Sequence, residues 1–287
     1  MERTHRFGLP YQGSKNSIAQ WVVEHFPSAT HFFDLFAGGC AVTHAAILSG
    51  KFKEFHINDI EGDVPRLFVD AINGCYADER RWISRDDFFM FKDSDAYIRL
   101  CWSFSNNGKD YLYSDTNEML KKNIWAVMTS RTIAEAQSAF RRFLESLESL
   151  ESLQSLERLQ SLQSLERLQS LERLQRLERL DIKCTALSYD EVVLCDDAVI
   201  YCDPPYRNTE GYRVEFDHDK FYKWVAECKQ IVYISEYTMP DDFVKIDSVR
   251  KVANFTGGKR RNTYVEEGLW VHKKHLDKIQ KTSLFQW

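Results

Sequence analysis

Short apolar runs alternate with helical patterns along most of this chain. The runs predict β-strands near residues 31–36, 53–58, 182–186, 198–203 and 231–235. Strands that alternate with helices typically form a parallel sheet, so the pattern predicts an α/β fold with helices on both faces of the sheet. Two later stretches, 244–255 and 263–272, alternate apolar with polar residues and predict an antiparallel pair at the sheet edge.

The hydrophobic pattern changes between the second and third predicted strands. We therefore predict two domains, one formed by residues 1–70 and 182–275 and an inserted, mainly helical one formed by residues 71–181. In the insert, aromatic residues stand on both sides of Asn106-Asn107-Gly108-Lys109, a composition typical of a hairpin turn. The segment 102–113 is accordingly predicted to be a hairpin.

A leucine occupies every third position from Leu144 to Leu180, and the intervening residues are only Glu, Gln, Ser and Arg. This composition favours a helix. Three residues advance an α-helix by about 300°, so the leucines drift around its surface. One long helix would expose leucine on every side unless the insert or a second chain covers it, which predicts self-association through residues 144–180. A solenoid with inward leucines is the alternative.

The apolar strand Ala198-Val199-Ile200-Tyr201-Cys202 ends in the motif Asp203-Pro204-Pro205-Tyr206. Proline holds φ at about −65° and has no N–H to donate, so this loop is stiff and rich in acceptors. The carboxylate of Asp203 and the carbonyl of Pro204 can together accept both hydrogens of an exocyclic amino group, and Tyr206 offers an aromatic surface to the ring that carries it. A turn that merely ends the strand is the alternative.

A second motif follows the first strand, where Asp34-Leu35-Phe36-Ala37-Gly38-Gly39 runs into the start of a helix. Glycines in such a turn let the backbone approach a ligand closely. Asp59 ends the second strand, and its carboxylate could accept hydrogen bonds from both hydroxyl groups of a ribose. These motifs fall at the carboxyl ends of strands, where open α/β sheets bind their ligands.

Together the motifs resemble those of the Dam-type DNA adenine-N6 methyltransferases. The resemblance rests on four blocks in the same order: Tyr11-Gln12-Gly13-Ser14-Lys15, Asp34-Leu35-Phe36-Ala37-Gly38-Gly39, Asn58-Asp59-Ile60 and Asp203-Pro204-Pro205-Tyr206. It implies a Rossmann-like methyltransferase sheet with S-adenosylmethionine as cofactor. It also implies site-specific transfer of the methyl group to N6 of a flipped-out adenine in double-stranded DNA, a reaction that requires no metal.

Carried over position by position, the resemblance implies a catalytic motif of Asp203, Pro204, Pro205 and Tyr206. The implied cofactor-binding residues are Tyr11, Gly13, Ser14, Lys15, Asp34, Phe36, Gly38, Gly39, Asp59, Ser188, Tyr189 and Asp203. The chain departs from the family pattern after the third strand. Many relatives have an acidic-aromatic pair there, whereas this chain has Ala186-Leu187-Ser188-Tyr189-Asp190.

The formal net charge of −5 disfavours binding of a polyanion by the surface as a whole, so contacts to DNA must come from local basic or amide groups. The candidates are Asn106, Asn107, Lys109, Arg131, Lys259, Arg260 and Arg261. The last three follow Thr256-Gly257-Gly258, which predicts a flexible basic loop. An arginine-rich hairpin like the one that reads GATC in the best-known Dam enzymes is not evident, so the recognised DNA sequence stays open.

Other activities use a similar acceptor pocket, and we keep them as alternatives. These are methylation of adenine in RNA, of cytosine N4 or of a protein amide, although cytosine-N4 relatives more often have Ser in place of the Asp. From a different class, the chain could be a scaffold that binds the cofactor without turnover and self-associates through the leucine repeat. Intact Lys15, Asp59, Asp203 and Tyr206 argue against the scaffold.

No apolar stretch approaches the length of a membrane span and the first residues are polar, so we expect a cytoplasmic protein without a membrane segment. The seven cysteines are scattered and never stand at metal-ligand spacing. This predicts reduced thiols and no metal site.

Overall fold

The computed structural model describes residues 7–11, 13–148, 163–177, 180–206, 216–252 and 264–283. The chain divides into two compact units. The first comprises Met1–Gly8, Ser14–Val69 and Leu180–Trp287, and the second comprises Leu9–Gly13 and Asp70–Arg179.

In the first unit, the described strands form one seven-stranded sheet. The strands are β1 His31–Asp34, β2 Glu54–Asn58, β3 Ile182–Thr185, β4 Ala198–Cys202, β5 Ile231–Glu236, β6 Phe243–Val252 and β7 Tyr264–His272. Their order across the sheet is β3-β2-β1-β4-β5-β7-β6. Strands β1 to β5 pair in parallel, whereas β7 pairs antiparallel with both β5 and β6. The predicted parallel sheet and its antiparallel edge pair are confirmed.

The described helices, in chain order, are α1 Ala19–Glu24, α2 Ala41–Ser49, α3 Asp63–Ile72, α4 Arg85–Phe91, α5 Ala96–Cys101, α6 Asp115–Met128, α7 Ile133–Glu148, α8 Gln163–Leu174, α9 His218–Glu227 and α10 Leu276–Ser283. None of these helices is long and apolar enough to cross a membrane.

Side chains of the central strands fill two core layers, because successive residues of a strand point to opposite faces. On one face, Phe33 of β1 is fully buried in a cluster that includes Phe221 of α9. On the other, Phe32 of β1 and Tyr233 of β5 pack against Phe26, which follows α1, at ring-centroid distances of 5.7 and 4.8 Å. The sheet is therefore flanked by helices on both faces, as predicted.

The second unit is helical and is built around three tryptophans. Trp82, Trp102 and Trp125 meet edge to face, with ring centroids 5.1, 5.1 and 6.2 Å apart. The buried indole of Trp125 donates to the carbonyl of Arg80 at 2.9 Å, so its one polar group is satisfied. At the start of α4, Ser84 forms a capping box with Asp87.

The hairpin predicted for residues 102–113 is confirmed at its base, where the N–H of Leu112 donates to the carbonyl of Trp102 at 2.9 Å and the N–H of Phe104 donates to the carbonyl of Asp110 at 2.8 Å. The structure has one isolated antiparallel bridge, Ser103 to Tyr111, and a 3₁₀ turn over Phe104–Asn106. The side chain of Asn107 closes the loop, because its oxygen accepts from the N–H groups of Lys109 and Asp110 at 2.8 and 3.1 Å. The backbone donors of Lys109 and Asp110 are thus satisfied inside the loop, which limits the antiparallel pairing to the residues beyond it.

The described part of the leucine repeat is helical at the end of α7 and throughout α8. Residues 149–162 and 178–179 lie outside the described residues. Leu168, Leu171 and Leu174 of α8 are buried. Three leucines at this spacing spread over only about 120° of a helix, so a short helix can present them on one face. The beginning of α8 is also anchored, because the guanidinium of Arg167 donates to the carbonyls of Cys101 and Ser103 at 2.8 Å each.

Candidate active site

The loop that begins with Asp203 lies at the carboxyl end of β4, beside the carboxyl end of β1. Asp34 of β1 is in register with Tyr201 of β4, and the N–H of Leu35 donates to the Tyr201 carbonyl at 3.1 Å. Parallel neighbours end at the same edge of a sheet, so the glycine turn and the Asp203 loop are adjacent. This is the arrangement that the sequence motifs predict.

Lys15 reaches the Asp203 loop from near the beginning of the chain. Its Nζ lies 2.6 Å from Oδ2 of Asp203 and 3.5 Å from Oε1 of Glu267. The lysine is 7% exposed, so this ion pair is largely shielded from water. The same Nζ stands 4.8 Å from the centre of the Tyr206 ring, within the range of a cation–π contact.

Glu267 of β7 completes the group of charges around Lys15. Its side chain is fully buried, and its Oε1 accepts a hydrogen bond from the hydroxyl of Tyr206. The Tyr206 ring also meets Tyr237 edge to face at 4.6 Å. Burial raises the pKa of Tyr206 well above its ordinary value, with Asp203 and Glu267 adding to the effect, so the phenol is a neutral donor.

Sequence reasoning missed Glu267, although a signal was present. Glu267, Leu269 and Val271 share one face of β7, and the two apolar residues are buried. An acid in the inward register of an otherwise apolar strand needs a buried partner. Lys15 and Tyr206 are the partners here.

Asp34 lies beneath the glycine turn as a nearly fully buried carboxyl group. Its Oδ2 accepts from the hydroxyl of Thr43 in α2 at 2.7 Å. Burial raises its pKa to about 7 against the lowering effect of the Thr43 hydrogen bond, and the nearby carboxylates of Asp203 and Asp59 add to the rise. Asp34 therefore titrates near neutral pH.

Asp59 ties the glycine turn to the end of β2. Its Oδ2 accepts from the N–H of Gly38 at 2.8 Å, and its Oδ1 accepts from the N–H of Glu61 at 3.0 Å. Burial raises its pKa, although both backbone hydrogen bonds act in the opposite direction. Each carboxylate oxygen keeps further acceptor capacity, because an ionised carboxylate offers about four lone-pair sites.

Gly8 packs against the glycine turn so closely that no larger residue fits. A Cβ at this position would lie 2.3 Å from the carbonyl oxygen of Gly39 and 2.7 Å from the nitrogen of Ala41. The N–H of Gly8 donates to Nδ1 of His44 at 3.0 Å, which fixes the contact. Gly8 could not be identified from the sequence, because the contact joins segments that are distant in the chain.

The buried side chain of Asn58 connects the loops that follow β1, β2 and β3. Its amide donates to the carbonyls of Leu35 and Leu187 at 3.2 and 3.0 Å. Its oxygen accepts from the hydroxyl of Thr185 at 2.8 Å and from the N–H of Leu187 at 3.0 Å. All of its hydrogen-bonding groups thus hold the loops at this edge of the sheet in place.

The predicted cofactor residues Ser188 and Tyr189 lie in the loop after β3. Ser188 caps a short 3₁₀ helix, and its hydroxyl donates to Asp190. Tyr189 is buried and stacks on Phe36 with ring centroids 5.5 Å apart. Burial raises the pKa of Tyr189 to about 12. The pair of Phe36 and Tyr189 places an aromatic surface beside the glycine turn.

His218, at the start of α9, is another residue that sequence reasoning missed. Its Nε2 lies 2.9 Å from the carbonyl oxygen of Pro205, and its Nδ1 lies 3.0 Å from the carbonyl oxygen of Phe216. The imidazole thereby holds the second proline of the loop against α9.

The remaining predicted site residues come from three other parts of the chain. Tyr11 is half-buried, Gly13 is exposed with a φ of +80°, and the Ser14 hydroxyl accepts from the N–H of Asn16. In the second unit, Asn106 is half-buried, Lys109 is exposed, and Arg131 pairs with Asp78 at 3.2 Å. The proposed contacts Lys259, Arg260 and Arg261 lie outside the described residues.

Two comparisons with known proteins bear on this site. The family of D12 class N6 adenine-specific DNA methyltransferases matches residues 11–230, a span that covers most of the chain and contains the glycine turn and the Asp203 motif. A search of the curated proteins finds no match.

Proposed function

The chain belongs to the D12 class N6 adenine-specific DNA methyltransferases, and from that premise we propose how its residues carry out the transfer. The acceptor is the N6 amino group of an adenine in DNA. We propose S-adenosylmethionine as the methyl donor and the Asp203 loop as the place of reaction. The observation that carries the assignment is the buried contact between Lys15 and Asp203 at the carboxyl end of β4.

Asp203 and Pro204 would hold the adenine amino group. The lone pair of N6 is delocalised into the purine ring, so the nitrogen is a poor nucleophile in the plane of the base. Hydrogen bonds from its two N–H groups to the Asp203 carboxylate and the Pro204 carbonyl favour a pyramidal nitrogen whose lone pair points towards the donor. Much of the rate then comes from orientation.

Lys15 would keep the Asp203 side chain ionised, so that it accepts hydrogen bonds. An ammonium group 2.6 Å away stabilises the ionised carboxylate, which can accept hydrogen bonds but cannot donate them. Glu267 in turn balances the charge of Lys15 and orients Tyr206. The adenine would leave its stack and lie against the Tyr206 ring on the face opposite Lys15, as enzymes that modify a base commonly require.

The residues around the glycine turn fit S-adenosylmethionine. Gly38 has a φ of +45°, and the turn has no bulky side chain at Gly38 or Gly39, so the backbone can approach the ligand. Asp59 would accept hydrogen bonds from the ribose hydroxyl groups, and Phe36 offers an aromatic surface for the adenine ring. When bound, the cofactor supplies an electrophilic methyl group on a sulfonium.

A basic surface of the second unit is the best candidate for binding the phosphate groups of DNA. Arg80, Lys122, Arg131 and Arg142 line one cavity of about 540 Å³, together with a single acid, Glu135. This concentration of positive charge offsets the net charge of −5 where the backbone of DNA would bind. Only Arg131 of these residues was singled out from the sequence as a DNA contact.

The test is transfer of labelled methyl groups from S-adenosylmethionine to unmethylated DNA, followed by digestion to nucleosides. We expect N6-methyldeoxyadenosine confined to one short sequence motif. The Asp203→Ala variant should lose transfer by on the order of 100-fold or more, while the exposed Asp196→Ala variant should retain it. N4-methylcytosine as the product, label in RNA alone, or full activity of Asp203→Ala would contradict the assignment.

A further inference from the structure

Four metal-ligating side chains converge at the amino end of the sheet, away from the proposed transfer site. His31 is the first residue of β1, Glu54 is the first residue of β2, His56 lies two residues later, and Cys195 stands shortly before β4. Strand register pairs His31 with Glu54 and Phe33 with His56. Because strand residues alternate between faces, His31, Glu54 and His56 share one face.

The ligand atoms of this group are close together. Nδ1 of His31 lies 3.3 Å from Nε2 of His56 and 3.5 Å from Oε2 of Glu54. One ligand atom from each of His31, His56 and Cys195 lies within 4.8 Å of the other two. All three residues are half-buried, so an ion could enter from solvent and would still be partly shielded from it.

The distance between the two imidazole nitrogens matches a tetrahedral zinc site. Zinc binds imidazole nitrogen at about 2.0–2.1 Å and thiolate at about 2.3 Å, so two nitrogen ligands stand about 3.3 Å apart and a nitrogen and a sulfur stand about 3.6 Å apart. The imidazole nitrogens already have that separation. Closing the sulfur onto the ion requires a movement of about an ångström in the loop before β4, and the free energy of zinc binding can compensate for the cost of that movement.

Neighbouring side chains orient His56 and contact Glu54. The His56 ring stacks on Phe33 at 4.1 Å, which fixes its orientation. Lys183, whose Nζ lies 3.5 Å from Glu54, competes with the ion for that carboxylate.

We propose that His31, His56 and Cys195 bind one zinc ion, with Glu54 as the fourth ligand. The ion would join β1, β2 and the segment that enters β4, which are three parts of the sheet far apart in sequence. Its role would be structural, because all four ligands come from the protein and the catalytic motifs lie at the opposite ends of these strands.

Zinc binding is tested on the full chain with its affinity tag removed, under a reductant that does not bind metal. Titration with zinc chloride against a chromogenic chelator should show one ion per chain with a dissociation constant below about 1 µM. Zinc should also raise the thermal unfolding midpoint. Cobalt(II) in place of zinc should give the intense near-ultraviolet absorption of a thiolate-to-cobalt bond.

The variants Cys195→Ser and His31→Gln should each weaken zinc binding at least about tenfold, and Cys195→Ser should abolish the thiolate absorption. The matched control is Cys75→Ser, because Cys75 is exposed and belongs to the second unit. Circular dichroism and methyl transfer of Cys195→Ser should match those of the natural chain, which shows that the variant folds. Absence of zinc binding in the natural chain, or equal binding by Cys195→Ser, would overturn the site whatever the outcome of the methyl-transfer assay.

Discussion

The ammonium of Lys15 lies 2.6 Å from the carboxylate of Asp203, although the two residues come from opposite parts of the chain. The contact joins the N-terminal motif to the Asp203 loop in a largely buried setting. Each group stabilises the charged form of the other, because burying one charge without its partner has a high cost in free energy.

Replacement of Lys15 by Met should therefore damage both activity and stability. The change leaves Asp203 and the fully buried Glu267 without the cation between them, and breaking a buried pair typically costs about 3–5 kcal/mol. We expect loss of methyl transfer by on the order of 100-fold and a lower unfolding midpoint in urea. Lys53→Met, at an exposed position, is the control and should behave like the natural chain. Normal activity of Lys15→Met would show that the pair has no part in catalysis.

The Glu267→Gln variant removes the negative charge of this side chain and keeps its size and its hydrogen-bond acceptor. The amide oxygen can still accept from Tyr206, but the negative charge that balances Lys15 is lost. Hydrogen bonds to charged groups contribute about 1.5–3 kcal/mol, so kcat should fall by about 10- to 100-fold. Glu266→Gln is a matched control, because Glu266 is the neighbouring residue on the exposed face of β7. Equal kinetics of the two variants would remove Glu267 from the site.

Asp34 should make the stability of the protein fall as pH rises from about 4 to about 7. Its folded pKa of about 7 exceeds its ordinary value of 3.8, so in this window the folded chain keeps a proton that the unfolded chain has released. Each pH unit then lowers the free energy of unfolding by about 1.4 kcal/mol.

Urea unfolding at pH 5.0 and 7.5 measures this dependence. Asp34→Asn removes the titrating group and keeps an acceptor for Thr43, so its stability should change less between the two pH values. Asp196→Asn should retain the slope of the natural chain. An unchanged slope in Asp34→Asn would assign the pH dependence to another group.

Gly8 and Gly50 have similar backbone conformations but differ in the room that is available for a Cβ atom. Both have left-handed backbones, with φ of +66° and +67°, so Ala is strained at each by about 1 kcal/mol. A Cβ at Gly8 also collides with Gly39 and Ala41. At Gly50, no heavy atom of the described residues lies within 4 Å of such a Cβ, apart from Gly50 itself and its two neighbours in the chain. Gly8→Ala should therefore be destabilised more and should bind S-adenosylmethionine more weakly, as measured by unfolding and calorimetry. Similar losses in both variants would mean that backbone conformation alone explains the effect.

The basic surface of the second unit can be tested with two neighbouring arginines. Arg142 lines the cavity with Lys122 and Arg131, whereas Arg141 is exposed and does not line it. Arg142→Ala should weaken DNA binding and lower the slope of log K against log salt by about one, as loss of one phosphate contact does. Arg141→Ala should leave the slope unchanged. If both variants keep the natural slope, the phosphate contacts lie elsewhere.

The local pattern of the sequence was sufficient to predict the five parallel strands, the antiparallel edge pair and the position of the chemical motifs. Apolar periodicity is a local property, and Asp59 and Asp203 follow their strands directly. Because the carboxyl ends of parallel strands lie at one edge of a sheet, the two acids were predicted to lie at the same edge. The resemblance to a methyltransferase family followed from residues within those short blocks.

The antiparallel pairing around Asn107 is shorter than a hairpin over residues 102–113 would give, because turn composition does not reveal which groups will satisfy the backbone. In the structure, the Asn107 side chain takes the donors of Lys109 and Asp110, and one bridge remains between Ser103 and Tyr111. The leucine repeat raised a similar difficulty. A helix as short as α8 can bury Leu168, Leu171 and Leu174 together, whereas the repeat as a whole cannot form one stripe.

Tertiary structure alone decided which distant residues meet. Glu267 joins Lys15, Gly8 packs on Gly39, and His31 approaches His56 because of the order of strands in the sheet and the path of the chain between them. Neither property is encoded in a short stretch of sequence, since strand order depends on the burial of all faces at once. The local motifs of the sequence therefore determine which chemical groups stand at the ends of the strands. The ion pairs between these groups and distant residues form only when the sheet assembles.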